Sequence, residues 1–190
     1  MPKTKAKAAV AAKIYAVVGS DDAEVKHTAA ELAEKLKPTA AGDFGLEVID
    51  GATDNADQAA ARIRSTVEAL RTLPFFGTEK LVWLKNANFL GDDQKARSTS
   101  VQAALEELGE TIDSGFGPEI IFLLSAIDVD KRRSFYKSLA KRAELQIFDK
   151  LGHHLLHLRE LARTQGTDHQ VGQAKDELSL HDLFGYHLVT

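Results

Sequence analysis

The chain has 190 residues, of which 44% are hydrophobic and 27% are charged, a balance typical of a folded protein rather than of a disordered or membrane-embedded one. It contains no cysteine, which excludes disulfides, thiol redox chemistry and thiolate metal sites. The formal net charge is −4, and because every charge before Asp21 is a lysine, a basic N-terminus precedes an acidic body.

Residues 1–12 form a short arm rich in lysine and alanine. A solvated, flexible arm is the favoured interpretation, and contact with nucleic acid is the alternative. The apolar stretch 8–18 is interrupted by Lys13 and is too short to span a bilayer. We therefore expect no membrane segment and a cytoplasmic protein.

Five short apolar runs predict β-strands, and segments with helical periodicity separate them. The predicted strands are 14–18, 46–49, 81–84, 120–124 and 145–148. The predicted helices are 23–37, 57–73, 94–112 and 131–142. This alternation predicts an α/β domain with a mainly parallel sheet and helices on both faces.

The first, third and fourth runs are continuously apolar, as expected of strands that are covered on both faces. The second and fifth runs alternate more and fit the edges of a sheet. This pattern supports the strand order 5-1-4-3-2, the order of P-loop domains of the AAA+ type. Other parallel arrangements with the same three strands inside stay open.

The composition changes near residue 150, since six of the seven histidines lie beyond it and the strand-like runs end. We predict one domain over 13–150 and a helical or mobile segment over 151–190. His153 and His157 lie one helical turn apart, a spacing that can chelate zinc. No third ligand is evident near them, so an exposed histidine-rich helix face is the favoured interpretation.

The turn after the first predicted strand is where a nucleotide-binding enzyme would hold phosphate. A P-loop requires Gly, four variable residues and then Gly-Lys-Ser/Thr. Gly19 is present, but the last three positions are Glu24, Val25 and Lys26. Acids at a helix N-terminus stabilise the helix themselves and argue against an anion site. We predict no catalytic residues, no cofactor and no metal, because Lys85 and Asn86 also stand where a magnesium-binding acid would follow the third strand.

The fourth predicted helix carries six basic residues, which are Lys131, Arg132, Arg133, Lys137, Lys141 and Arg142. Its buried side is predicted to be Phe135 and Leu139. A solvated surface is the favoured interpretation of the basic face, and contact with phosphates is the alternative.

The segment Leu73-Pro74-Phe75-Phe76-Gly77 follows the second predicted helix. That helix has a complete apolar stripe of Ala59, Ile63, Val67 and Leu70, and Pro74 forces the chain to leave it. Two interpretations stay open for the phenylalanines. They either fold back onto the sheet edge, where each would stabilise the fold by about 1.5 to 3 kcal/mol, or form an anchor for a partner's pocket.

Three segments, 14–22, 70–87 and 120–141, resemble the delta subunit family of bacterial DNA polymerase III in order and spacing. The resemblance covers about residues 12–150. It implies a P-loop-like, AAA+-like clamp-loader subunit that does not hydrolyse ATP. Such a subunit inserts a hydrophobic pair, usually Leu-Phe, into a pocket of the β sliding clamp and helps to open the ring.

The resemblance assigns the pair to Phe75 and Phe76 and places Leu73 beside it as part of the clamp-binding site. It implies the other clamp-loader subunits as partners, and DNA as an indirect or weak one. Family members continue with a helical lid and a collar domain that assembles the ring. Residues from Leu151 onward differ from that lid, so we expect that this chain alone does not assemble into the loader.

Two other functions are compatible with the sequence. One is a nucleotide-binding enzyme with a degenerate P-loop, which the acids after Gly19 disfavour. The other is an α/β interaction domain with no role in replication, which an exposed anchor after the second helix would disfavour.

Overall fold

The computed structural model describes residues 13–39, 42, 45–74 and 79–150. Its elements are β1 (Lys13–Gly19), α1 (Asp22–Leu36), β2 (Leu46–Asp50), α2 (Ala56–Arg71), β3 (Lys80–Lys85), α3 (Thr99–Ser114), β4 (Ile120–Ile127), α4 (Ser134–Arg142) and β5 (Glu144–Phe148). The predicted arm at 1–12 and the predicted segment at 151–190 lie outside the described residues, so that division of the chain stays a prediction.

The five strands form one parallel sheet in the order β2-β3-β4-β1-β5. Read from the opposite edge, this is the predicted order 5-1-4-3-2. Almost every side chain of β3 and β4 is buried, whereas no side chain of β5 is fully buried and Val48 on β2 is 47% exposed. The prediction of an α/β domain with a five-stranded parallel sheet is confirmed.

Alternate side chains of the central strands enter two separate cores, because successive residues of a strand point to opposite faces. One core lies against α2, α3 and α4 and includes Phe122 of β4 and Phe89 of the loop after β3. The other lies against α1 and includes Trp83 and Leu123. The helices therefore cover both faces of the sheet, three on one side and one on the other.

Side-chain caps fix where the first two helices begin. Asp21 Oδ1 accepts from the backbone N–H of Glu24 at 3.3 Å, and Asn55 Oδ1 accepts from that of Gln58 at 2.9 Å. These bonds satisfy donors that the first helical turn leaves open. The starts of α1 and α2 accordingly lie within one residue of their predicted positions.

The predicted starts of the third and fourth helices were wrong by several residues. Residues 94–97 form turns rather than a helix, because Asp93 Oδ1 accepts from the N–H of Ala96 at 2.7 Å. Similarly, Asp130 Oδ1 accepts from the N–H of Arg132 at 3.0 Å and delays α4 until Ser134. Short polar side chains that bond to nearby backbone compete with helix formation in this way.

Buried side chains on α2 and α4 agree with the sequence pattern. The stripe of Ala59, Ile63, Val67 and Leu70 is buried against the sheet, and so are Phe135 and Leu139 of α4. Those predictions are confirmed. None of the helices in the described part of the chain is long and apolar enough to cross a membrane.

Candidate functional site

The turn between β1 and α1 is filled by the protein's own hydrogen-bond acceptors. The backbone N–H of Ser20 donates to Asp149 Oδ1 at 3.2 Å, and that of Asp21 donates to the carbonyl of Phe148 at 2.9 Å. The N–H of Glu24 donates to Asp21 Oδ1. Phosphate binding at a helix N-terminus relies on such donors. In this turn Phe148 at the end of β5, Asp149 after it and the Asp21 side chain already accept from three of them.

Gly19 is required here by the close approach of β5. Its φ is +156°, and a Cβ atom at this position would collide with the carbonyl oxygen of Phe148. Only glycine avoids both the strain and the collision. The glycine that resembles the first residue of a P-loop therefore has a packing role that needs no nucleotide.

Polar groups at the ends of β2 and β3 bond to each other. Asn86 Nδ2 donates to Asp50 Oδ1 at 3.4 Å, and Lys85 Nζ lies 5.0 Å from the ring centre of Trp83. Among the described residues there is no group of three or more His, Cys, Asp or Glu side chains that could hold a metal ion. The histidine pair considered above, His153 and His157, lies outside those residues.

The exposed end of α2 lies at the opposite end of the sheet, where β3 and β4 begin. Thr72 ends the helix with its N–H and its hydroxyl, which both donate to the carbonyl of Glu68, at 3.0 and 2.7 Å. Leu73 then leaves the helix and is 67% exposed. The other exposed large hydrophobic residues of the described part are Val48 at 47% and Ile147 at 46%.

A groove of about 340 Å³ runs beside Leu73, between the end of α2 and the turn that follows α3. Its apolar lining residues are Leu70, Leu73, Phe116 and Ile120. Arg71 crosses to α3, where it donates to Glu107 Oε1 at 3.0 Å and to Thr111 Oγ1 at 3.1 Å. The exposed leucine thus projects from a helix end that is held by polar contacts.

Of the predicted site residues, Leu73 is the one that the structure describes. Phe75 and Phe76 lie outside the described residues, so their exposure stays a prediction. Lys80, which the sequence pattern did not indicate, has a side chain that is only 7% exposed. Its Nζ donates to the carbonyl of Ala69 at 2.7 Å and lies 3.3 Å from Glu47 Oε2. A lysine at the start of a strand gives no sequence signal for such a contact.

Most of the basic face of α4 and of the loop before it is paired with acids. Lys131 contacts Asp149, Arg142 contacts Asp113, and Arg132 and Arg133 contact Asp92 and Asp130. Hydrogen bonds from the side chain and backbone of Arg132 hold the pKa of Asp130 at about 2, below its ordinary value of 3.8. These pairs favour the interpretation of a solvated surface over a phosphate-binding one.

The structure therefore defines an α/β domain in which acceptors of the chain itself occupy the turn after β1, and an exposed leucine lies at the opposite end of the sheet. Comparison with known proteins gives its family. The model of the family "DNA polymerase III, delta subunit" matches residues 15–148, so the chain belongs to that family.

The chain is also similar to two proteins over part of their length. DNA polymerase III subunit delta of Bacillus subtilis is 28% identical over 167 residues, which cover 86% of this chain and 42% of the relative. The solved structure of the Bacillus subtilis DNA clamp loader delta protein matches with a TM-score of 0.52 and 26% identity, over 82% of this chain and 44% of that one. The chain spans less than half the length of both relatives.

Proposed function

We propose that this chain acts as a delta-type clamp-loader subunit that binds the β sliding clamp and helps to open it during DNA replication. The binding site comprises Leu73, Phe75 and Phe76. The observation that carries this proposal is the exposure of Leu73, at 67%, one turn after the fully buried Leu70. Such a leucine contributes little to the fold, but it can become an anchor when a partner covers it.

The domain is proposed to be AAA+-like without nucleotide chemistry. Its strand order agrees with that class, and the donors of Ser20, Asp21 and Glu24 are already bonded within the chain. A phosphate would have to displace those bonds and approach the carboxylates of Asp21 and Asp22. We therefore assign the chain no catalytic activity of its own, and a scaffolding role in a polymerase holoenzyme.

The further partners are the other clamp-loader subunits, since the relative of solved structure is a clamp loader delta protein. DNA is assigned an indirect or weak contact. Among the residues that the structure describes, four of the six basic residues in and before α4 pair with acids, and Lys137 and Lys141 are the two that form no such pair there.

A double substitution of Phe75 and Phe76 by Ala tests the site. If the pair enters the clamp pocket, affinity for the cognate β clamp should fall by upwards of about 2 kcal/mol, the usual scale for interface hot spots. The midpoint of thermal unfolding should stay near that of the wild type. Calorimetric titration and thermal melts on the same protein provide both measurements.

The result also separates the alternatives. A large loss of stability with unchanged clamp affinity would place the phenylalanines in the core and remove the site. Clamp affinity that is absent in the wild type as well would favour an interaction domain without a replication role. Micromolar binding of Mg-ATP would favour the nucleotide-binding enzyme.

A further inference from the structure

We infer that Lys80 is a positioning residue, which fixes the point and direction at which Leu73 leaves α2. This inference rests on the proposed function, because it gives Lys80 a role in presenting the clamp-binding site. Lys80 is the first residue of β3, and eleven positions separate it from Ala69 in the last turn of α2. The contact between them therefore joins the two ends of the segment that carries the proposed site.

The Ala69 carbonyl is a hydrogen-bond acceptor that a longer α2 would use for its own backbone. In an uninterrupted α-helix it would accept from the N–H of Leu73, four residues later. In this structure it accepts from Lys80 Nζ at 2.7 Å. The next carbonyl, that of Leu70, has no donor four residues later because Pro74 lacks an N–H. Lys80 and Pro74 together stop α2 and turn Leu73 outward.

Burial makes the Lys80 contact specific. The side chain is 7% exposed, and a buried amine is costly unless it has partners. Its partners are the Ala69 carbonyl and Glu47 of β2, while its backbone N–H donates to the carbonyl of Glu119 at 2.8 Å. A cation at the C-terminal end of a helix is also favoured by the helix dipole. The residue thus ties α2, β2 and the chain before β4 to one point.

The test replaces Lys80 by Met in the full chain, because Met is an unbranched side chain only one atom shorter than Lys and has no donor. Lys13→Met is the matched control, since Lys13 also begins a strand at this end of the sheet and pairs with Glu79 at the surface. Affinity for the cognate β clamp should weaken about tenfold in Lys80→Met, because Leu73 must then be ordered on binding. It should stay within about threefold of the wild type in Lys13→Met, as exposed ion pairs contribute little.

Residue-resolved amide exchange provides the local measurement. In Lys80→Met the amides of Arg71 and Thr72 should exchange at least about tenfold faster, while those of β1 and β4 should keep their protection. Lys80→Arg, which retains a charged donor, should restore both exchange and affinity toward the wild type. If the Lys80 contact only stabilised the fold, amide exchange at Arg71 and Thr72 and affinity for the clamp would not change together.

Three results would overturn the inference. One is exchange at Arg71 and Thr72 that is the same in Lys80→Met as in Lys13→Met. Another is clamp affinity that is unaffected although this exchange increases. The third is global unfolding of Lys80→Met, because the role assigned to Lys80 is local. If the wild type itself does not bind the clamp, the proposed function fails, and the exchange measurement still decides whether Lys80 orders the end of α2.

Discussion

Replacing Leu73 by Ala should separate binding from folding, because this side chain is already two-thirds exposed. Burying a leucine fully stabilises by about 1.5 to 3 kcal/mol. With 67% of its surface exposed, Leu73 gives the fold only about a third of that, roughly 0.5 to 1 kcal/mol. A partner that covers the remainder would gain about 1 to 2 kcal/mol, or roughly 5- to 30-fold in affinity.

Leu70→Ala provides the opposite case within the same helix. Leu70 is fully buried, so its removal leaves a cavity and should lower the free energy of unfolding by about 2 to 5 kcal/mol. Val48→Ala is the control for an exposed apolar side chain on β2, at the edge of the sheet. It should change neither clamp affinity nor stability appreciably.

The assay combines two titrations on each variant. Denaturant unfolding can be followed by the fluorescence of Trp83, the single tryptophan, which is 7% exposed. Binding is measured by calorimetry against the cognate β clamp. A loss of stability in Leu73→Ala as large as that in Leu70→Ala would contradict the binding role of Leu73. A clamp affinity of Leu73→Ala equal to that of Val48→Ala would contradict it as well.

Two further predictions concern the ion pair of Asp130 and the turn after Gly19. Because the pKa of Asp130 is held at about 2, below its ordinary 3.8, its ion pair should stabilise the fold fully above about pH 4, and this contribution should fade as the pH drops toward 2. The stability difference between wild type and Asp130→Asn, measured by denaturant unfolding, should therefore be larger at pH 7 than at pH 2, and an equal difference would contradict the assigned pairing. Mg-ATP should show no binding in the micromolar range by calorimetry, because the N–H groups of the turn after Gly19 are already bonded. Tight binding would show that phosphate can displace Asp149 and Phe148 as hydrogen-bond acceptors of this turn.

Strands were easier to predict from the sequence than helix starts. Continuous apolar runs such as Ile120 to Leu124 identify strands covered on both faces, and the structure buries each of those side chains. The starts of α3 and α4 depend on Asp93 and Asp130, whose side chains bond to backbone two or three residues later. Periodicity does not register such local competition.

The features of the candidate site that could not be predicted from the sequence are contacts between residues distant in the chain. The acids after Gly19 indicated a poor phosphate site, but the hydrogen bonds that this turn donates to Phe148 and Asp149 depend on β5 lying beside β1. Lysine is a residue type that usually lies at the surface, and Lys80 is buried because the end of α2 lies over it. Similarly, four of the six basic residues in and before α4 pair with acids, and the acids Asp92, Asp113 and Asp149 are distant in sequence from their partners.

Titration of the wild-type chain with its cognate β clamp is the most direct test of the proposed function. We expect saturable binding, which is weakened by Leu73→Ala and by the double substitution of Phe75 and Phe76, and is unaffected by Val48→Ala. Binding that is unchanged by both Leu73→Ala and the double substitution of Phe75 and Phe76, or no binding by the wild type, would contradict the proposed function.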